Sequence, residues 1–230
     1  MRHLNHVSAA CIGALLALSP VAANAAALSF VNVAAPAINC IFNATCTITV
    51  TDSVGAIPFS PGTATGKGIL QTRTYKGMPG TPGAGLTGYE YRIDMTQAVS
   101  PGEAPCITDL AVDFGPVTKL KYKAGDPKTY DVFVITKGGI GTVPLFDVEQ
   151  TGSVIDFVPN QPICAGVTPG TGLSSYFFGL ASTYAPKAVT AHVGWPGLLP
   201  LDVAARAPAH LHILKPIWPL KPLKVAPVRK

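Results

Sequence analysis

The side chains of this chain that could do chemistry are few and scattered. Glu90, Asp94, Asp109 and Asp113 could supply a carboxylate pair for glycoside hydrolysis, which needs two carboxyls roughly 5 to 9 Å apart. Such pairs can be drawn among the acids of any domain, and most of these are expected on the wet faces of strands. Asp109 and Asp113, four apart on a strand, would share a face and could belong to a calcium site, but the clustered Asp/Asn/Gly loop of calcium motifs is missing. His210 and His212 would point the same way from a strand and could chelate a metal, yet no third ligand accompanies them; two solvated polar residues are expected. Nucleophilic catalysis would have to use Ser174 or Ser175 with His192, without a Gly-x-Ser-x-Gly elbow, and His192 reads as a wet-face strand residue. Lys137-Gly-Gly-Ile-Gly141 lacks the Lys-Ser/Thr of a phosphate-binding loop and reads as a hairpin turn. Asn43-Ala-Thr45 is a sequon with meaning only where the source glycosylates it. No catalytic residue, metal site or cofactor is therefore expected.

The cysteines carry more information, because residues 1–25 have the pattern of an export signal. Arg2, His3 and His6 lead into an almost uncharged run, 7–18, and then the small-residue site Ala23-Asn24-Ala25. That run is too short to span a bilayer as a stable helix. Cleavage is expected after Ala25, with Ala27 as the other choice, leaving about 205 residues and no transmembrane segment in the mature chain. Of five cysteines, Cys11 falls inside the leader. A lipidation site at Cys11 is disfavoured because the most hydrophobic part, 12–18, follows the cysteine instead of preceding it. The four that remain, in an exported chain, suggest disulfides. Proximity favours Cys40 with Cys46 and Cys106 with Cys164 among the possible pairings.

Charge is partitioned along the chain. Residues 28–197 hold ten Lys/Arg against eleven Asp/Glu, whereas 198–230 hold six against one. A nearly neutral domain argues against nucleic acid as its partner, since that binding depends on clustered cations. Beyond Gly197 the prolines recur every few residues among Lys215, Trp218, Lys221, Lys224, Arg229 and Lys230. That composition disfavours helix and sheet, so 198–230 is expected to be an extended or disordered basic tail. Its cations and Trp218 suit an anionic membrane surface or an envelope polymer.

Between leader and tail, apolar and polar residues alternate with the period of half-buried strands. The candidates are 29–34, 46–52, 68–75, 89–96, 107–114, 129–136, 143–148, 153–158, 174–180 and 188–193, divided by Pro/Gly turns, with no convincing helical period. About ten strands predict a single all-β domain over 26–197, a β-sandwich of Ig-like or jelly-roll type.

The segment Gly172-Leu-Ser-Ser-Tyr-Phe-Phe-Gly-Leu-Ala-Ser182, followed by Ala185-Pro-Lys-Ala-Val-Thr-Ala191, reads as a strand, a turn and a returning strand. It resembles the closing hairpin of exported bacterial β-sandwich proteins, over about twenty residues. The resemblance implies fold and export and supplies no activity. The expectation that follows is an exported, non-enzymatic structural or adhesive protein of the cell envelope or extracellular matrix, periplasmic, surface-bound or released. One alternative is a carbohydrate or envelope-polymer binding module using Tyr75, Tyr89, Tyr91 and Tyr122 on a wet sheet face; the other is a secreted hydrolase.

Overall fold

Alternation in Tyr89-Glu90-Tyr91-Arg92-Ile93-Asp94 sends Tyr89, Tyr91 and Ile93 into the hydrophobic core and the three charged residues to the opposite face of β5 (Thr87–Val99). The same period organises the other long strands. In the computed structural model, which describes residues 24–59, 64–100, 102, 104–197 and 199–210, strands dominate and a single short helix accompanies them. Most of the proposed leader and the tail beyond His210 lie outside the described residues, including Lys215, Trp218, Lys221, Lys224, Arg229 and Lys230.

The first six-stranded sheet runs in the order β1 (Ala26–Ala27), β9 (Leu145–Thr151), β10 (Val154–Pro159), β7 (Asp109–Asp113), β13 (Pro186–Gly194) and β14 (Leu201–Pro208). The second runs β2 (Phe30–Ala34), β8 (Val132–Lys137), β12 (Phe177–Ser182), β5, β4 (Thr65–Lys76) and β3 (Thr51–Ile57). β6 (Cys106–Ile107) and β11 (Ile163–Cys164) form a separate two-stranded ladder whose Ile107 and Ile163 pack into the core between the two sheets. Leu70, Tyr91 and Phe178 of the second sheet share one apolar cluster with Val112, Phe157 and Val203 of the first. A second cluster covers the other face of the second sheet, where Ile38, Ile41 and Phe42 of α1 (Ala35–Phe42) meet Tyr75, Phe133 and Phe177.

The two sheets approach each other along both sides. On one side the chain itself switches sheets: Ala26 and Ala27 pair antiparallel with β9, and three residues later β2 pairs parallel with β8. On the other side Gly55 of β3 lies so close to the Ala204 carbonyl of β14 that a Cβ would not fit.

Four sequence expectations are corrected. The helix α1 is present because Ile38, Ile41 and Phe42 repeat at helical spacing and Pro36 suits its first turn; eight residues were too few for that period to stand out. The strand expected over 46–52 begins at Thr51, since 46–50 form the irregular return from the Cys40–Cys46 loop. The stretch after Gly197 is not wholly tail, because β14 pairs with β13 over its length and puts Val203, Ala205 and Ala207 into the core. The sheet therefore runs past the expected boundary at 197. Finally, β12 and β13 are not a hairpin: β12 is buried along its whole length between β5 and β8 in one sheet, whereas β13 lies between β7 and β14 in the other.

Candidate functional site

The densest set of polar side chains sits on the outer face of the second sheet. Cross-strand register places Asp52, Arg73, Glu90, Gly179 and Phe133 in one row across β3, β4, β5, β12 and β8. Glu90 is only 3% exposed. Two glycines make its burial possible: a Cβ at Gly88 would strike the Tyr75 ring, and one at Gly179 would strike the Phe133 ring and the Tyr89 carbonyl. With hydrogens in their place, two aromatic rings lie over the sheet beside the carboxylate.

Tyr75 Oη donates to Glu90 Oε1 at 2.9 Å. Burial pushes the Glu90 carboxyl up to about 7, while the Tyr75 hydrogen bond and the Arg73 charge pull it down. Tyr75 is raised well above the ordinary phenol range, first by burial and then by Glu90. The pair can therefore hold a proton on the carboxyl close to neutral pH. Arg73 links this buried pair to the sheet edge: its Nε bonds Asp52 Oδ1 at 2.9 Å and its guanidinium lies 4.2 Å over the Phe177 ring. Arg92 donates to Asp94 at 2.6 Å and to Gln71 at 3.2 Å, and Gln71 donates on to Asp52 at 3.1 Å. Asp94 also accepts from the Thr96 amide and hydroxyl. The network thus spends its charges on one another. Beside it lies a shallow groove of about 330 Å³, lined by Tyr75, Thr51, Thr74, Thr87, Lys76 and Met78 among others.

The four acids singled out from the sequence do not converge. Glu90 and Asp94 face outward from the second sheet, whereas Asp109 and Asp113 face outward from the first, with the shared core between. No pair drawn from opposite sheets can flank one glycosidic bond. Asp109 and Asp113 are about 13 Å apart along β7 at ordinary strand rise. Among the described residues no group of three metal-ligating side chains forms.

Ser174 and Ser175 are buried, and the Ser175 hydroxyl accepts from the Ile93 amide at 2.9 Å inside the second sheet. His192 is on the first sheet, 2.8 Å from Asp202 on the neighbouring strand, so it forms no triad with either serine. His210, expected to be solvated, is 7% exposed and lies 3.2 Å from Asp113; burial behind the end of β7 is the reason. His212 lies outside the described residues. Lys137-Gly-Gly-Ile-Gly141 connects β8 to β9, with Gly138 and Gly141 at positive φ. Asn43 of the sequon closes α1, its side-chain amide donating to the Thr47 carbonyl at 2.6 Å.

The aromatic platform expected on a wet face is overturned. Tyr75, Tyr89, Tyr91 and Tyr122 are all fully or nearly fully buried, because their rings are the largest apolar bodies available to the two clusters. Cys40 is bonded to Cys46 and Cys106 to Cys164, the latter directly opposite each other in the β6–β11 ladder. Sequence reasoning named Glu90 and Tyr75 for other roles and missed Arg73 and Phe177. The signal for Arg73 was the alternation of β4, where Leu70, Thr72 and Thr74 are buried and Gln71 and Arg73 lie between them; Phe177 sits in the wholly buried β12, where no alternation marks it.

No family model, no curated protein and no solved structure matches this chain. What fold and site define is a nearly all-β protein of two large sheets with two disulfides and a buried carboxylate network. Among the described residues no helix is long and apolar enough to cross a membrane.

Proposed function

We propose that this chain is an exported, non-enzymatic β-sandwich, of Ig-like or jelly-roll type, with a structural or adhesive role in the cell envelope or extracellular matrix. The observation that carries the reading is the use made of its polar side chains. Asp52 engages Arg73, Arg92 engages Gln71, Tyr75 engages Glu90 and His192 engages Asp202, each across two neighbouring strands, so these groups tie strands together. The disulfides support the same reading, since oxidised cysteines persist outside the reducing cytoplasm. Residues 1–25 supply the export address.

The test is fractionation of cells that express the chain, combined with attachment of cells lacking it. Recovery in the envelope or matrix fraction with the leader removed, and weaker attachment without the protein, are expected. Recovery in the cytoplasm with residues 1–25 intact sinks the reading.

A second reading is a binding module for carbohydrate or another envelope polymer. It is favoured by the groove beside Tyr75, whose threonine hydroxyls, Lys76 and exposed Met78 offer both polar and apolar contact. The basic tail supplies a further contact with an anionic membrane surface or polymer through Lys215, Trp218, Lys221, Lys224, Arg229 and Lys230. Liposome sedimentation at low salt, with and without 211–230, tests that contact, and equal binding removes it.

A further inference from the structure

The outer face of the first sheet is acidic. Alternation and register put Asp109, Asp113, Asp147, Glu149, Asp156 and Asp202 on it, half of the twelve acids in the chain. The Lys and Arg of the six strands that form the sheet are Lys187 and Arg206 alone. Glu149 and Asp156 stand directly opposite each other on β9 and β10, next to Asp147 two residues along β9, so three acids share one patch of this face. Residues 211–230 have the complementary composition: five Lys/Arg and no acid.

The described chain is already heading onto this face where that segment begins. After β14, the Ala209 amide bonds the Ala185 carbonyl, and His210 then reaches past β13 to lie against Gly115 and 3.2 Å from Asp113. Asp113 is paired with Val154 of β10, and the next strand beyond β10 is β9. Two strand spacings, about 10 Å, separate β7 from β9. Five extended residues span roughly 16 Å, so Lys215 can reach Asp156 and Glu149 without strain.

We propose that residues 211–230 dock on the outer face of this chain's own first sheet, with the tail cations laid over Asp156, Glu149 and Asp147. Docking is electrostatic and shallow, so salt weakens it, the screening length shrinking from about 10 Å at 0.1 M salt to about 3 Å at 1 M. An anionic surface would have to displace the tail from the sheet before binding it. The inference does not depend on the adhesive reading above.

The test uses the full mature chain. Trypsin can cut after Lys224, whereas Lys215 and Lys221 precede proline and resist it. The rate of cleavage after Lys224 is followed by mass spectrometry and normalised to a synthetic 211–230 peptide at each salt concentration. In low salt the wild type is expected to be cut roughly fivefold or more slowly than the Asp147→Asn/Glu149→Gln/Asp156→Asn variant, the difference disappearing in high salt. Equal normalised rates at low salt overturn the proposal. Protection that fades on tenfold dilution also overturns it, in favour of a second copy, as does protection that appears only with anionic vesicles. A second measurement avoids altering the sheet: amide spectra of the wild type and a Lys215→Gln/Lys221→Gln/Arg229→Gln/Lys230→Gln variant are compared. Shifts clustering in β9 and β10 are expected, and shifts confined to 211–230 refute docking.

Discussion

Tyr75 reaches over Gly88 to donate its hydroxyl to Glu90 at 2.9 Å, and this one contact joins the second apolar cluster to the charged row beside it. The carboxylate is buried on the face of a sheet where α1 and the aromatic rings exclude water. Its cost is offset by a donor on one side and the Arg73 charge on the other.

The first prediction concerns pH. Glu90 has a folded pKa of about 7, above its unfolded value near 4.5, so the native state binds the proton more tightly. The stability this contributes is present in full below about 4.5 and is lost as pH rises through about 7. Glu90→Gln keeps an acceptor for Tyr75 and removes the titration. The difference in unfolding free energy between variant and wild type, measured in urea, should grow with pH across that window in the variant's favour, by an amount of order 3 kcal/mol. A difference that stays flat from pH 4 to 8 would contradict the buried-acid account.

The two glycines next to Glu90 should be intolerant of even one methyl group. Gly88→Ala drives the Tyr75 ring off its donor position, and Gly179→Ala collides with Phe133 and the Tyr89 carbonyl. Each substitution is expected to cost about 1–3 kcal/mol. Gly152→Ala is not a matched control, because its φ is +61°; Gly102, with open space around it and no positive φ, is one, and Gly102→Ala should be near neutral in thermal melts.

Two buried tyrosines should respond oppositely to loss of the hydroxyl. Tyr75→Phe strands Glu90 without its donor and should cost about 1–3 kcal/mol. The Tyr122 hydroxyl is buried with no hydrogen-bond partner within the described protein, so Tyr122→Phe should be neutral or stabilising. Parallel denaturation curves of the two variants check this, and equal losses would count against it.

The disulfides should differ in weight. In the chain-entropy account, the 58-residue separation of Cys106 and Cys164 is worth about 4 kcal/mol, against about 2 kcal/mol for the six-residue separation of Cys40 and Cys46. Paired Cys→Ala variants, unfolded in denaturant, are expected to fall in that order.

A chain stopped at Pro200 should lose its cooperative melt, because β14 contributes Val203, Ala205 and Ala207 to the shared core. A chain stopped at His210 should keep it. Circular dichroism on both separates a strand that completes the sheet from a dispensable arm.

Much of the strand content was legible because period-2 alternation is a local property: β4, β5, β10 and β13 all fall where the pattern places them. The sulfur pairing was favoured by proximity. The helix was hidden because three apolar residues in eight do not make a visible stripe, and β14 because Leu201-Asp-Val-Ala-Ala-Arg206 sits inside a proline-rich region whose composition masks its alternation.

Composition and periodicity by themselves determined a β-rich chain with four cysteines outside the proposed leader and a basic end, since each of these is read from neighbouring residues. Tertiary structure alone decided which strands share a sheet, that β12 and β13 part company, and that Glu90 lies buried under Tyr75 while six other acids gather on the opposite sheet. Alternation tells which side chains share a face of one strand. Only the register between strands distant in sequence tells which faces meet.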